Sequence, residues 1–140
     1  MGDWRAFRRL GIAALLPLGL ALGMPAASAA APAAAAVGNP VKGAQIFKRC
    51  MICHTIAPTD GNRIGPNLHG LFEREAGKQK GFNYSPGIAK STFKWDDARL
   101  NLWLTDPQAF SPNAKMAFKL PDAQERADVI AYLHQVTEAK

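Results

Sequence analysis

Cys50-Met51-Ile52-Cys53-His54 constrains this chain more than any other stretch, because it uses both cysteines of the sequence and sets a histidine directly after the second. Two thiols three positions apart can add across the two vinyl groups of a haem, and the adjoining imidazole then lies close enough to ligate the iron from one face. A chain tied in this way to a large, flat, apolar cofactor has to wrap its remaining length around it.

Cys-x-x-Cys pairs also serve thioredoxin-type redox couples, zinc sites and local disulfides. A closed zinc site needs four ligands, and only His69 and His134 remain, at irregular distances. The redox couple calls for a surrounding βαβ pattern, and no alternation of strands and helices follows the motif. A disulfide closing so short a loop would remove little unfolded-state entropy. Haem attachment is therefore the favoured chemistry.

The first thirty residues read as a targeting segment. Arg5, Arg8 and Arg9 form a positive start, Leu10 to Met24 an uncharged apolar run broken by Pro17, and Ala27-Ser28-Ala29 a small-x-small cleavage pattern. We expect a signal peptide over 1–29, a flexible Ala-rich lead-in over 30–38 and one folded domain over 39–140. The alternative is an uncleaved anchor facing the periplasm, since no charge occurs between Arg9 and Lys42. A spanning helix needs about 20 strongly apolar residues, however, and the Leu and Ile positions occupy a shorter stretch.

Within the domain, Asn39-Pro40 predicts a helix start, an N-cap followed by proline at the first helical position. Val41, Ala44, Phe47 and Cys50 are expected on its inward face, with Lys42, Lys48 and Arg49 toward solvent. Residues 55–93, rich in Gly, Pro, Asn and Ser, predict loops with one or two helical turns. Trp95-Asp96-Asp97 opens a second helix that buries Leu100, Trp103 and Leu104 and stops at Asp106-Pro107. Asp122 opens a third, with Glu125 at the reciprocal capping position and Val129, Ile130, Leu133 and Val136 on the apolar face. The fold class is all-α.

Iron held by His54 keeps one axial position open, and its occupant separates an enzyme from a carrier. Outside the leader the methionines are Met51 and Met116. Met51 lies inside the attachment loop and cannot reach the far haem face, which makes Met116, in the irregular run Ser111 to Met116, the thioether candidate. His69 and His134 are expected to be surface or polar-face residues.

With these residues placed, the chain from about Gly38 to Lys140 resembles the class I cytochromes c, the mitochondrial and bacterial cytochrome c and c2 type. The matches run in order through Gly43, Phe47, Cys50 to His54, Gly65 to Phe72, Tyr84, Trp95, Leu104, Pro107, Pro112, Lys115-Met116 and Ala131-Tyr132-Leu133. The resemblance implies a small fold whose first and last helices cross, Gly43 and Phe47 against Tyr132 and Leu133, with loops wrapped around one haem c. It further implies that the Pro66 carbonyl accepts the Nδ1 hydrogen bond of His54, that Arg74, Tyr84 and Trp95 surround the haem propionates, and that Phe118 packs near the exposed haem edge. Attachment outside the cytoplasmic membrane is also implied, which agrees with an exported, periplasmic protein. The chain departs from the family's frequent Asn, Tyr and Thr at Ile88, Trp103 and Ala114, and a drier methionine side of the haem is expected.

An iron saturated by His54 and Met116 predicts electron transfer and no enzymatic reaction; a peroxidase or gas sensor would need Met116 absent or easily displaced. The whole sequence carries 17 Lys and Arg against 11 Asp and Glu, and without residues 1–29 the balance is 14 against 10, about +4. That modest excess suits acidic surfaces of redox proteins such as an oxidase, a reaction centre, a bc1 complex or a dehydrogenase, and not nucleic acid. Lys42, Lys48, Lys115 and Lys119 are expected to ring the haem edge of a monomer and steer such partners.

Overall fold

The computed structural model describes residues 36–138; the expected leader over 1–29 and the first part of the lead-in lie outside the described residues. Among the described residues five α-helices follow in the order α1 (Pro40–Phe47), α2 (Pro86–Ala89), α3 (Asp97–Thr105), α4 (Pro107–Phe110) and α5 (Ala123–Thr137). Among the described residues the only strand pairing is an isolated antiparallel bridge between Glu75 and Lys94. The fold is all-α, and no described helix is long and apolar enough to cross a membrane.

Local chemistry sets the helix starts. The Asn39 side chain accepts from the amides of Val41 and Lys42, and Pro40 supplies a preset φ at a position whose N–H has no helical partner. Asp96 caps α3 by accepting from Arg99 N, and Asp122 caps α5 by accepting from Glu125 N. Each such cap contributes about 1 kcal/mol. Glu125 does not return the bond as expected; its carboxylate pairs with Arg49 of the α1 side at 2.9 Å. Asp106-Pro107 ends α3 as expected and also starts α4, because the same carboxylate accepts from Gln108 N and Ala109 N.

α1 crosses α5 at a glycine. A Cβ on Gly43 would overlap the Asp128 carbonyl, so only glycine lets the two backbones touch there. That crossing rotates α1 relative to the expected stripe: Gly43 and Phe47 are buried, whereas Val41 is 74% exposed. Phe47 packs on Tyr132 with ring centroids 5.4 Å apart, and Asp128 accepts from Asn39 N at 2.7 Å. The described end of the lead-in is also held against α5, since Gln124 donates to the Val37 carbonyl at 2.9 Å.

Phe47, Leu71, Leu100, Leu104, Leu120, Val129, Ile130 and Leu133 form the core, with Trp103, Trp95 and Met116 packed against it. Phe47 is 1% exposed, and truncating such a side chain to alanine costs about 3–5 kcal/mol. Buried Arg126 joins α5 to α3 through Asn101 Oδ1 at 2.7 Å and to the preceding loop through the Leu120 and Pro121 carbonyls. Between the 3₁₀ turn at Cys50–Ile52 and α3 the long segment contains only α2 as a helix, as its Gly and Pro content predicts.

Candidate cofactor site

The core is not closed. Between α3, the loop after Cys53 and the loop carrying Met116 lies a cavity of about 600 Å³, walled by Leu71, Ile88, Leu100, Leu104 and Leu133. Its size is that of a site for a sizeable organic ligand. All eight residues expected from the sequence border it: Cys50, Cys53, His54, Pro66, Arg74, Tyr84, Trp95 and Met116.

Directly after α1 the chain makes a 3₁₀ turn over Cys50–Ile52, closed by Cys53 N and His54 N, which donate to the Cys50 carbonyl at 3.0 and 2.9 Å. One tight turn thus presents both thiols and the imidazole to the cavity. Burial pushes the Cys50 thiol up to about 11, opposed in part by the Arg49 charge. A thioredoxin-type nucleophile needs a depressed thiol pKa, so the redox-couple alternative loses its chemistry here.

His54 Nδ1 lies 2.8 Å from the Pro66 carbonyl, which fixes the ring and keeps Nε2 free to ligate. Burial lowers the His54 pKa and the Pro66 bond raises it, with burial the larger effect; the ring is held neutral, the form a metal binds. Gly65 makes this approach possible. A Cβ there would come within 2.7 Å of Nδ1 and 2.8 Å of Nε2, so the loop can lie along the imidazole only without a side chain.

Met116 reaches the cavity from the loop between α4 and α5. Asn113, with φ at 62°, turns that loop in the left-handed region, where asparagine is among the few tolerated residues. Trp103 Nε1 donates to Met116 Sδ at 3.2 Å, and Gln108 Nε2 donates to the Ala114 carbonyl at 2.6 Å. Neither contact was legible in the sequence. Trp103 read there as a buried indole in place of the family's frequent Tyr, and Gln108, an exposed polar residue on a short helix, carried no signal.

Arg74 donates to the carbonyls of His69 and Asn67, the latter at 2.7 Å, and hydrogen-bonds Tyr84. Burial lowers the Arg74 pKa and raises that of Tyr84, in each case against the partner's opposing influence. Trp95 sits in an aromatic cluster, 5.2 Å from Phe93, 5.5 Å from Trp103 and 5.6 Å from Phe110. Phe118 borders the cavity and is 37% exposed.

The rival ligands lie elsewhere. His134 Nε2 bonds Asp97 Oδ1 at 2.6 Å while its ring stacks on Phe72, and neither it nor His69 lines the cavity. Among the four lysines expected to ring the site, only Lys115 borders the cavity. Lys42 flanks α5 beside Asp128, Lys48 bonds Gln45, and Lys119 pairs with Asp106 at 2.7 Å. The expected ring followed charge along the sequence, whereas Lys42, Lys48 and Lys119 do not border the cavity. Ile88 and Ala114 are buried and apolar, and the Trp103 N–H is engaged by sulfur.

Two adjacent thiols, a neutral imidazole with one free nitrogen, a thioether and apolar walls fit haem c. An all-α protein folded around one covalently attached haem is the class that this fold and this site define.

The comparisons with known proteins agree. The family model described as cytochrome c matches residues 40–137. Cytochrome c2 of Rhodomicrobium vannielii is 46% identical over 99 residues, covering 70% of this chain and 79% of the relative. Cytochrome c-550 of Novispirillum itersonii is 45% identical over 107 residues, covering 69% and 96%. The solved structure of cytochrome c2 from Rhodospirillum centenum aligns with a TM-score of 0.66 at 39% identity, over 71% of this chain and 99% of that one. The chain belongs to the cytochrome c family. It is accordingly an electron carrier that binds haem c through Cys50 and Cys53.

Proposed function

We propose that this protein shuttles single electrons through a six-coordinate haem c whose iron is held by His54 and Met116, in the periplasm, between respiratory or photosynthetic partners. The observation that carries the reading is that His54 and Met116 border one apolar cavity while the other candidate ligands, His69 and His134, do not. When bound, the haem supplies the Fe(III)/Fe(II) couple, and thioether ligation places its potential toward the high end of the range. Around it Cys50 and Cys53 anchor, Pro66 orients His54, the apolar walls exclude water, and Arg74, Tyr84 and Trp95 offer charge or hydrogen bonds to the propionates.

A saturated iron has no position for substrate, so the protein acts as a carrier and not as an enzyme. Lys115, beside the cavity, and the net positive balance suit docking onto the acidic face of an oxidase, a reaction centre, a bc1 complex or a dehydrogenase. Visible spectra of the purified holoprotein in both redox states test the ligand set. We expect a low-spin spectrum with an Fe(III)–thioether charge-transfer band, and Met116→Ala should abolish that band, give high-spin iron and lower the potential. A Met116→Ala protein with unchanged spectrum and potential would overturn the assignment. N-terminal sequencing of the mature protein separates the cleaved leader from the retained anchor.

A further inference from the structure

We propose that Gln108 is a positioning residue that latches the Met116 loop shut, its side-chain amide bridging the Ala114 and Met116 carbonyls and so setting how readily the thioether leaves the iron. The inference rests on Met116 being the axial ligand. From Lys115 to Lys119 the described backbone makes no main-chain hydrogen bond; the ladder resumes only where Leu120 N donates to the Leu104 carbonyl at 2.7 Å. Gln108 Nε2 bridges the start of that gap, at 2.6 Å to the Ala114 carbonyl just before it and 3.4 Å to the Met116 carbonyl within it. Both neighbours are acceptors only, which requires the amide nitrogen and not its oxygen to face them.

The donor is itself fixed. Gln108 N donates to Asp106 Oδ1 at 3.0 Å, the cap of α4, and the other Asp106 oxygen takes Lys119 Nζ at 2.7 Å. One helical turn therefore grips the loop at both ends, through Gln108 at the ligand and through Asp106 beyond it. Trp103 holds the sulfur and Gln108 holds the backbone that delivers it, so withdrawal of the loop together with its thioether requires this backbone grip to open.

Imidazole added to the ferric holoprotein is the probe, because it competes with the thioether and gains whenever the loop opens more readily. Gln108→Ala should bind imidazole roughly 2- to 13-fold more tightly than the parent, the range for losing one hydrogen bond. Gln108→Glu keeps the size but sets a carboxylate against two carbonyls. Its charge-transfer band should melt at lower temperature than the parent's at neutral pH, and recover as pH falls through about 4, where the carboxyl regains a donor. Helical unfolding followed by far-UV circular dichroism should move less than the band. Equal imidazole affinity in Gln108→Ala and the parent would overturn the latch, as would band and helicity shifting together. Absence of the charge-transfer band from the parent protein would instead refute Met116 ligation.

Discussion

The indole N–H of Trp103 points at the sulfur of Met116 across 3.2 Å. An indole can only donate, so this contact draws electron density from the thioether and never returns it. A poorer sulfur donor favours Fe(II) over Fe(III). We expect Trp103→Phe to lower the reduction potential by roughly 20–40 mV, the one-electron equivalent of about 0.5–1 kcal/mol for a weak hydrogen bond. Protein-film voltammetry measures it, and a raised potential would contradict the assigned direction.

Gly43 admits no side chain at the crossing of α1 and α5, since its Cβ would meet the Asp128 backbone. Alanine has the better helix propensity by up to about 1 kcal/mol, yet the obstructing atoms are main chain and cannot swing aside. The steric cost should win, and Gly43→Ala should lose about 1–3 kcal/mol in denaturant unfolding. Equal or greater stability would show that the helices can separate without loss.

The Asp128 carboxylate is held below the usual range, first by the Asn39 N–H, then with help from the Gln124 amide and the Lys42 charge, against the cost of burial. A depressed pKa stabilises the fold above the unfolded value of about 4, and that contribution disappears as pH falls through the folded value. Asp128→Ala should cost about 1–3 kcal/mol at pH 7 and flatten the loss of stability on the acid side. Acid titrations of both proteins by circular dichroism supply the comparison.

Lys115 is the one lysine of the expected four that borders the cavity. Lys115→Ala should slow association with an acidic redox partner at low ionic strength by about twofold or more, an effect screened away as salt shortens the Debye length to about 8 Å. Lys42→Ala should leave the rate unchanged. Stopped-flow kinetics over a salt series distinguishes them, and the reverse ranking would relocate the docking face.

The features legible from local pattern were those decided within a few residues, while the Gly43 and Phe47 crossing and the His54–Pro66 bond were expected from the family resemblance. Asn39-Pro40, Asp96 and Asp122 start helices because their side chains reach amides two or three positions on. The motif from Cys50 to His54 is likewise one turn of chain. What escaped depends on partners distant in sequence. Val41 looked inward by periodicity, but the glycine crossing chose a neighbouring face; Glu125 suited a capping box, but Arg49 claimed it. The Gln108 bridge and the Trp103 bond depend on how a loop without periodic pattern folds back onto two helices, which spacing alone does not encode.

The bond between Asn39 N and Asp128 spans 89 residues, and the same pair of helices closes over Phe47. A chain still lacking α5 can therefore form the attachment turn but cannot bury the helix that leads into it. Without α5, Asn39 N would lack its carboxylate and Phe47 the Tyr132 ring it packs on, so the first helix of the domain depends for its burial on the last.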